Sequence, residues 1–275
     1  IGFARSNDGT IESPGLPPGS YDLFVASALF DSGASHIAFD ITNHDVDLGT
    51  IAAQKLPPLT GKVQPLSGQT FEGLRVTLTP IDGHDRLTVN TASTTARINA
   101  DGTFRFTNSL TAQATAELNG SVGDGIYQVA MSGLPSNMYI ATVAYGGRDI
   151  LDTGLHIEGS PHAPLEIAIG AGGNVQGVVK KGNDAVQDSL VALIPSSPHR
   201  GNLNLFKTAS TDQNGTFTFR GVAPGDYSIL AWEEVEPNAW LNAEFLKPFE
   251  SQAQRISVVG TSSTDVSVRV IPVTN

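Results

Sequence analysis

Apolar and polar residues alternate in short runs along the whole chain. Tyr21-Asp22-Leu23-Phe24-Val25, Arg75-Val76-Thr77-Leu78-Thr79, Thr103-Phe104-Arg105-Phe106, Thr216-Phe217-Thr218-Phe219 and Asp265-Val266-Ser267-Val268-Arg269-Val270 all read with period two. Successive side chains of a strand point to opposite faces. The pattern therefore predicts antiparallel sheets with one face buried and one wet. Val, Ile, Thr, Phe and Tyr dominate the runs, as pleated surfaces favour. Turn clusters punctuate them at Asn7-Asp8-Gly9, Ala100-Asp101-Gly102 and Gln213-Asn214-Gly215. Asp-Gly and Asn-Gly accept the positive φ that tight hairpin turns demand.

One phrase recurs. Residues 8–26 read DGTIESPGLPPGSYDLFVA and residues 214–232 read NGTFTFRGVAPGDYSILAW, aligned without a gap. Gly9, Thr10, Gly15, Pro18, Gly19 and Tyr21 match Gly215, Thr216, Gly221, Pro224, Gly225 and Tyr227. An interrupted version runs from Asp101-Gly102-Thr103-Phe104-Arg105-Phe106 to Gly125-Ile126-Tyr127-Gln128-Val129-Ala130. A repeated unit of this kind sets the architecture. It reads as a hairpin, a Pro-Gly turn and the next strand.

Around the later copy, strands are predicted near 174–180, 189–195, 205–211, 215–220, 225–232, 253–259 and 264–271. Such a set of short strands makes a small β-sandwich. A second unit opens at Leu59-Thr60-Gly61-Lys62-Val63, which mirrors Val175-Gln176-Gly177-Val178-Val179, and ends at Leu165-Glu166-Ile167-Ala168-Ile169. It carries a polar insertion, 108–124, and an extra strand pair near 139–143 and 149–151. Gly133-Leu134-Pro135 to Tyr139 imitates the phrase again, so the register of this unit stays open.

The first unit holds counterparts of the last four strands only, ending in Asp45-Val46-Asp47-Leu48-Gly49-Thr50-Ile51. Half a sandwich has open edges. It is expected to be completed by upstream sequence or by a strand from another copy. The predicted division is 1–55, half a sandwich; 56–170, a sandwich with the insertion; and 171–275, a complete sandwich. Boundaries fall at Lys55-Leu56-Pro57-Pro58 and Gly170-Ala171-Gly172-Gly173. Both are short, which predicts a semi-rigid rod.

Composition narrows the partners. The 275 residues include 29 Gly and 16 Pro and carry a net charge of −11. Nucleic acid and anionic membranes are bound by Lys/Arg patches, so neither is an expected partner. The absence of cysteine removes disulfides, thiol catalysis and Cys-ligated zinc. No run approaches the ~18 apolar residues that span a bilayer. The chain starts at Ile rather than Met, which reads as a mature or truncated product.

Gly177-Val178-Val179, Ala185-Val186, Val191-Ala192-Leu193, Thr211-Asp212-Gln213-Asn214-Gly215-Thr216-Phe217 and Gly221-Val222-Ala223-Pro224-Gly225-Asp226-Tyr227 together resemble the carboxypeptidase regulatory-like domain. That domain is a transthyretin-like β-sandwich, close in plan to the Cna B-type repeats of bacterial surface proteins. The resemblance spans 174–271 fully and 1–55 in part. Over 59–169 the insertion and the missing Pro-Gly before Tyr127 depart from it. It implies a non-catalytic module without cofactor, used in tandem in secreted and cell-surface bacterial proteins, and a location outside the cell or in the periplasm. The incomplete first unit and the aromatic segment 232–249 make the expected partners other copies of itself, a cell-surface protein or a glycan. Cna B-type domains often contain a Lys–Asn isopeptide bond assisted by an acid. Lys62 and Lys180 lie on first strands, but no matching Asn and acid are evident.

Candidate chemistry is sparse. No Gly-x-Ser-x-Gly elbow, P-loop or His-Glu-x-x-His motif occurs. His156 and His162 are the closest pair of histidines and read as loop residues. Asp40, His44, Asp45 and Asp47 offer oxygen ligands of the kind calcium takes, but without EF-hand spacing. Glu233, Glu234 and Glu236 read as a solvated loop. The segment 232–249, WEEVEPNAWLNAEFLKPF, holds both tryptophans. Trp232, Trp240, Phe245 and Phe249 are the candidate binding residues, because exposed rings beside acids suit sugar stacking or protein docking. The competing reading is that these rings cover one open end or edge of the sandwich. A short helix is expected over 239–246 with Asn238 as N-cap.

Overall fold

The computed structural model describes residues 4–6, 8–13, 15–27, 32–51, 57–64, 70–81, 85–89, 95–106, 122 and 125–272. The fold is all-β: among these residues the one α-helical turn is Ala243–Leu246.

Residues 173–272 form two packed layers. In the first layer, strand Gly173–Lys181 lies between Thr216–Val222, antiparallel, and Ser263–Ile271, parallel. The second layer runs Lys207–Ser210, Leu190–Pro195, Gly225–Trp232, Gln254–Val258, all antiparallel. The layers meet where Ala231 and Trp232 pair with Val270 and Ile271. Val175, Val179, Val191, Leu193, Phe217, Phe219, Tyr227, Ile229 and Val268 fill the space between them. All seven predicted strands are present, with small shifts at the ends.

Residues 59–169 repeat this plan. Thr60–Gln64 lies between Thr103–Arg105, antiparallel, and Leu165–Ala171, parallel. The opposing layer runs Thr95–Arg97, Arg75–Pro80, Gly125–Ser132, Leu155–Ile157. Pairing agrees residue for residue: Pro80 faces Tyr127 as Pro195 faces Tyr227. This resolves the register left open by the sequence, because Tyr127, not Tyr139, occupies the place of Tyr227. Met138–Tyr145 and Arg148–Asp149 are the extra pair, added to the edge of Leu165–Ala171. The insertion 108–124 lies outside the described residues except for buried Val122.

A glycine recurs in the first strand of both units for a steric reason. Gly61 faces Phe104 across the antiparallel pair, and Gly177 faces Phe217. A Cβ at Gly61 would sit 2.2 Å from the Phe104 ring and 2.5 Å from the Leu165 carbonyl oxygen. At Gly177 it would sit 2.3 Å from the Val266 carbonyl oxygen and 3.0 Å from the Phe217 ring. The phenylalanine after each Asp/Asn-Gly-Thr turn folds over the glycine, so glycine is required there by close approach.

The repeated phrase builds one turn three times. Ser6, Asn99 and Asp212 each donate a backbone N–H to the carbonyl of Thr10, Thr103 and Thr216. An aspartate then locks the threonine. Asp8 accepts from the Thr10 N–H (2.9 Å), Asp101 from the Thr103 hydroxyl (2.7 Å), and Asp212 from the Thr216 hydroxyl (2.6 Å). These bonds favour the ionised carboxylate and hold all three carboxyls below the usual Asp range. A lowered folded-state pKa contributes stability above the unfolded value of about 3.9, and that stability is lost as pH falls through the folded value. The melting temperature is therefore expected to fall as pH drops below about 4. Asp212→Asn should shallow that fall, and an unchanged acid limb would exclude these turns as its source.

The tyrosine of the phrase closes a corner. The Tyr21 hydroxyl donates to the Pro17 carbonyl (2.7 Å) and the Tyr227 hydroxyl to the Ala223 carbonyl (2.9 Å). This is the tyrosine-corner device of sandwich folds.

The first unit departs from expectation at both edges. Gly19–Ser27 pairs antiparallel with Ser32–Ile41, and Tyr21 stacks on Phe39 at 5.8 Å. Residues 45–51 form no strand. In the other two units the last strand pairs in parallel with the first strand, and the described residues of 1–55 hold no counterpart of that first strand. The other edge of Gly19–Ser27 pairs in parallel with Asp85–Val89, from Tyr21↔Asp85 to Val25↔Val89. This edge of the strand is thus paired within the chain, by an excursion of the second unit.

Candidate functional site

At the junction of the second and third units the two backbones approach closely. Leu165–Ala171 passes into Gly173–Lys181 through Gly172 alone. The Gly172 N–H donates to the Asn137 carbonyl at 2.9 Å. A Cβ on Gly172 would lie 2.5 Å from the backbone carbon of Gly221. Gly221 has φ +61, and a Cβ there would lie 2.6 Å from the Ser136 carbonyl oxygen and 2.7 Å from that of Met138. Two glycines thus bring the backbones of both units into contact.

A polar latch lies beside this contact. The segment between Leu190–Pro195 and Lys207–Ser210 makes two 3₁₀ turns, His199–Gly201 and Leu203–Leu205. From it, the Asn204 amide donates to the Val129 carbonyl at 2.8 Å. The Gln128 amide donates to Asn202 Oδ1 at 3.4 Å, and His199 Nδ1 lies 2.7 Å from Asp152 Oδ2. Gln128 and Asn202 are buried, so their contact is shielded from water. Burial pushes the Tyr227 phenol up to about 12, with neighbouring Tyr139 adding to the shift. The latch was not legible in the sequence, since nothing in His199-Arg200-Gly201-Asn202-Leu203-Asn204 names partners 47 to 75 residues upstream.

The aromatic segment packs inward. Leu190–Pro195 is buried on both faces beyond its first residue, and so is the end of Gly225–Trp232. Their outer face, with Ala192, Ile194, Leu230 and Trp232, is covered by Leu246, Trp240, Phe245 and Phe249. Trp232 is 2% exposed. Its ring meets Phe245 at 6.1 Å and Phe249 at 5.9 Å, and those two meet each other at 5.3 Å. Trp240 is half-buried. The helical turn starts later than expected: Asn242 accepts from the Glu244 N–H and caps it, while Asn238 takes the left-handed conformation and makes no side-chain cap bond.

The remaining candidates are dispersed. His156 is exposed on Leu155–Ile157, and the His162 ring packs on Tyr145 at 4.8 Å. Asp40 accepts from the Ser20 hydroxyl and Asp47 from the Gly49 N–H. Glu233 pairs with Lys181. Lys62 and Lys180 are exposed. Among the described residues no three His, Asp or Glu side chains converge as metal ligands.

No family model matches the chain, and no curated protein matches it. Solved structures do. A streptococcal ancillary pilin is 14% identical over 92% of this chain and 76% of its own, with a TM-score of 0.31. The minor pilin GBS52 of Streptococcus agalactiae is 13% identical over 93% of this chain and 98% of its own, with a TM-score of 0.25. The shaft pilin SpaA of Lactobacillus rhamnosus GG is 11% identical over 78% of this chain and 98% of its own, with a TM-score of 0.28. Superpositions this loose carry no argument about function.

Proposed function

We propose that this chain is a non-enzymatic structural protein of the bacterial exterior, a stiff stalk of tandem transthyretin-like units. The observation that carries the reading is the joint. A one-residue link between Ala171 and Gly173, two glycines in backbone contact and a buried Gln128–Asn202 bond make a junction suited to holding direction rather than to bending. The resemblance of 174–271 to carboxypeptidase regulatory-like and Cna B-type domains supports the same reading.

Polymerisation through the first unit is the finer form of the proposal. A strand from a second copy would have to take the place held by Asp85–Val89 beside Gly19–Ser27. That exchange is a strand swap, which joins head to tail and extends without closing.

Small-angle scattering tests the stiffness. The wild-type chain should fit one extended shape. Gly221→Ala places a methyl against Ser136 and Met138, and should raise the radius of gyration while both cores keep their circular dichroism. A wild-type curve that requires an ensemble of bent shapes would remove the basis of the stalk. Antibody labelling of intact cells tests location, and a strictly internal protein would end the reading. Electron microscopy of the purified chain tests the finer form, for which fibres are expected and uniform monomers are the contrary result.

A further inference from the structure

A cavity of about 180 Å³ opens between the outer face of the second layer and the turn Lys247–Gln252. Arg200, Arg255, Ser196, Ser197 and Ser228 line it together with Glu250. Its apolar wall is Ile194, Leu230, Leu246 and Ala253. The lining is unusual for this molecule, which has 16 Lys and Arg against 27 Asp and Glu. Here two arginines and one glutamate line the same cavity.

Arg200 is not consumed by its neighbour. Its Nη1 lies 3.6 Å from Glu250 Oε1, a loose contact between partly exposed groups. Its Nε is buried and has no hydrogen-bond partner. The arm is therefore held by packing while about a third of the side chain stays open (36%). A buried donor without an acceptor is a desolvation cost that no contact within the chain offsets. The backbone that carries Arg200 is also fixed, because the same 3₁₀ turn bears His199, which pairs with Asp152.

The chemistry selects a ligand. Guanidinium groups bind a carboxylate. Three serine hydroxyls and Glu250 offer donors and acceptors for hydroxyl groups. An apolar wall suits the C–H face of a ring, and the volume admits one ring rather than a chain. We infer that this cavity is a binding site for a small polyhydroxy carboxylate, the chemistry of a uronic acid residue. Its cation pair grips the carboxylate and its serines grip the hydroxyls. The inference is independent of the stalk reading, since scattering reports the joint and ligand titration reports this cavity.

Sodium glucuronate titrated into the full chain, followed by amide NMR, tests it. Saturable shifts are expected at Ser196, Ser197 and Ser228, with a dissociation constant of about 1 mM, as suits a ligand of this size. Arg255→Ala and Arg200→Ala should each weaken binding about tenfold, the loss expected for one charge-assisted hydrogen bond. Arg255→Ala leaves the turn beside the joint untouched and so guards against a folding artefact in Arg200→Ala. Glucose lacks the carboxylate and sulfate lacks the ring, and each should bind about tenfold more weakly or worse. The inference is overturned if glucuronate produces no saturable shifts, or if both arginine variants bind as the wild type does. It is equally overturned if glucose matches glucuronate, or if sulfate matches it, which would make the cavity a plain oxyanion site.

Discussion

Gly177→Ala is expected to destabilise the third unit by about 3 kcal/mol, at the upper end for overpacking a core. The added methyl would meet the Val266 carbonyl oxygen at 2.3 Å and the Phe217 ring at 3.0 Å. A ring can rotate away, but the carbonyl belongs to the parallel neighbour strand, and moving it strains the pairing from Asn174 to Lys180. The melting temperature should fall by roughly 10 °C for a chain of this size. Gly182→Ala is the control. Gly182 has a positive φ, +66, which Gly177 lacks, and nothing lies within 4 Å of its would-be Cβ. Only the left-handed backbone cost of about 1–2 kcal/mol applies there. Calorimetry on the two variants separates close approach from backbone conformation. Equal losses would mean that the two strands spread apart freely, and the Gly–Phe contact would then not be a fixed element of the repeat. The parallel experiment at Gly61 asks whether the second unit obeys the same rule.

Trp232→Ala is expected to cost about 3–5 kcal/mol, the usual range for removing a large buried ring. Trp232 joins the sheet to Phe245, Phe249 and Leu246, so its loss opens the centre of the second, outer core. Trp232→Phe should cost much less than half of that. It keeps a ring in the cluster and removes an indole N–H that is buried without an acceptor, a penalty of about 1–3 kcal/mol in itself. Trp240→Ala, at a half-buried ring, should cost less than Trp232→Ala. Urea denaturation ranks the three. If Trp232→Ala proved nearly neutral, the segment 232–249 would not be a structural cover, and sugar stacking or protein docking by its rings would regain its place.

How far the sequence carried the reading differs by region. In the third unit the period-two runs and Asn-Gly signals predicted all the strands but the two-residue Asp184–Ala185, because each of them borders a turn whose chemistry is local. In the second unit local signals named two tyrosines for one place, and only the pairing of Pro80 with Tyr127 chose between them. In the first unit the run 45–51 alternates as a strand does, yet it forms none. Alternation makes a segment fit for a sheet but does not supply the partner to hydrogen-bond with. The aromatic segment was legible as an anomaly, not as a direction. Whether Trp232 faces solvent or protein depends on the chain folding back over Leu190–Pro195, and no local pattern encodes that return.

By itself the sequence determined the all-β class, the recurrence of one phrase and the Asp/Asn-Gly-Thr turns. All of these are set by interactions within a few residues, where side-chain alternation, positive φ and short hydrogen bonds act. Only the tertiary structure decided what requires distant segments to meet. It brought Asp85–Val89 beside Gly19–Ser27, latched His199 and Asn202 onto Asp152 and Gln128, and placed Arg200 and Arg255 around one cavity. These contacts form because burial and pairing select among long-range arrangements, and the residues involved carry no mark of the choice in their own neighbourhood.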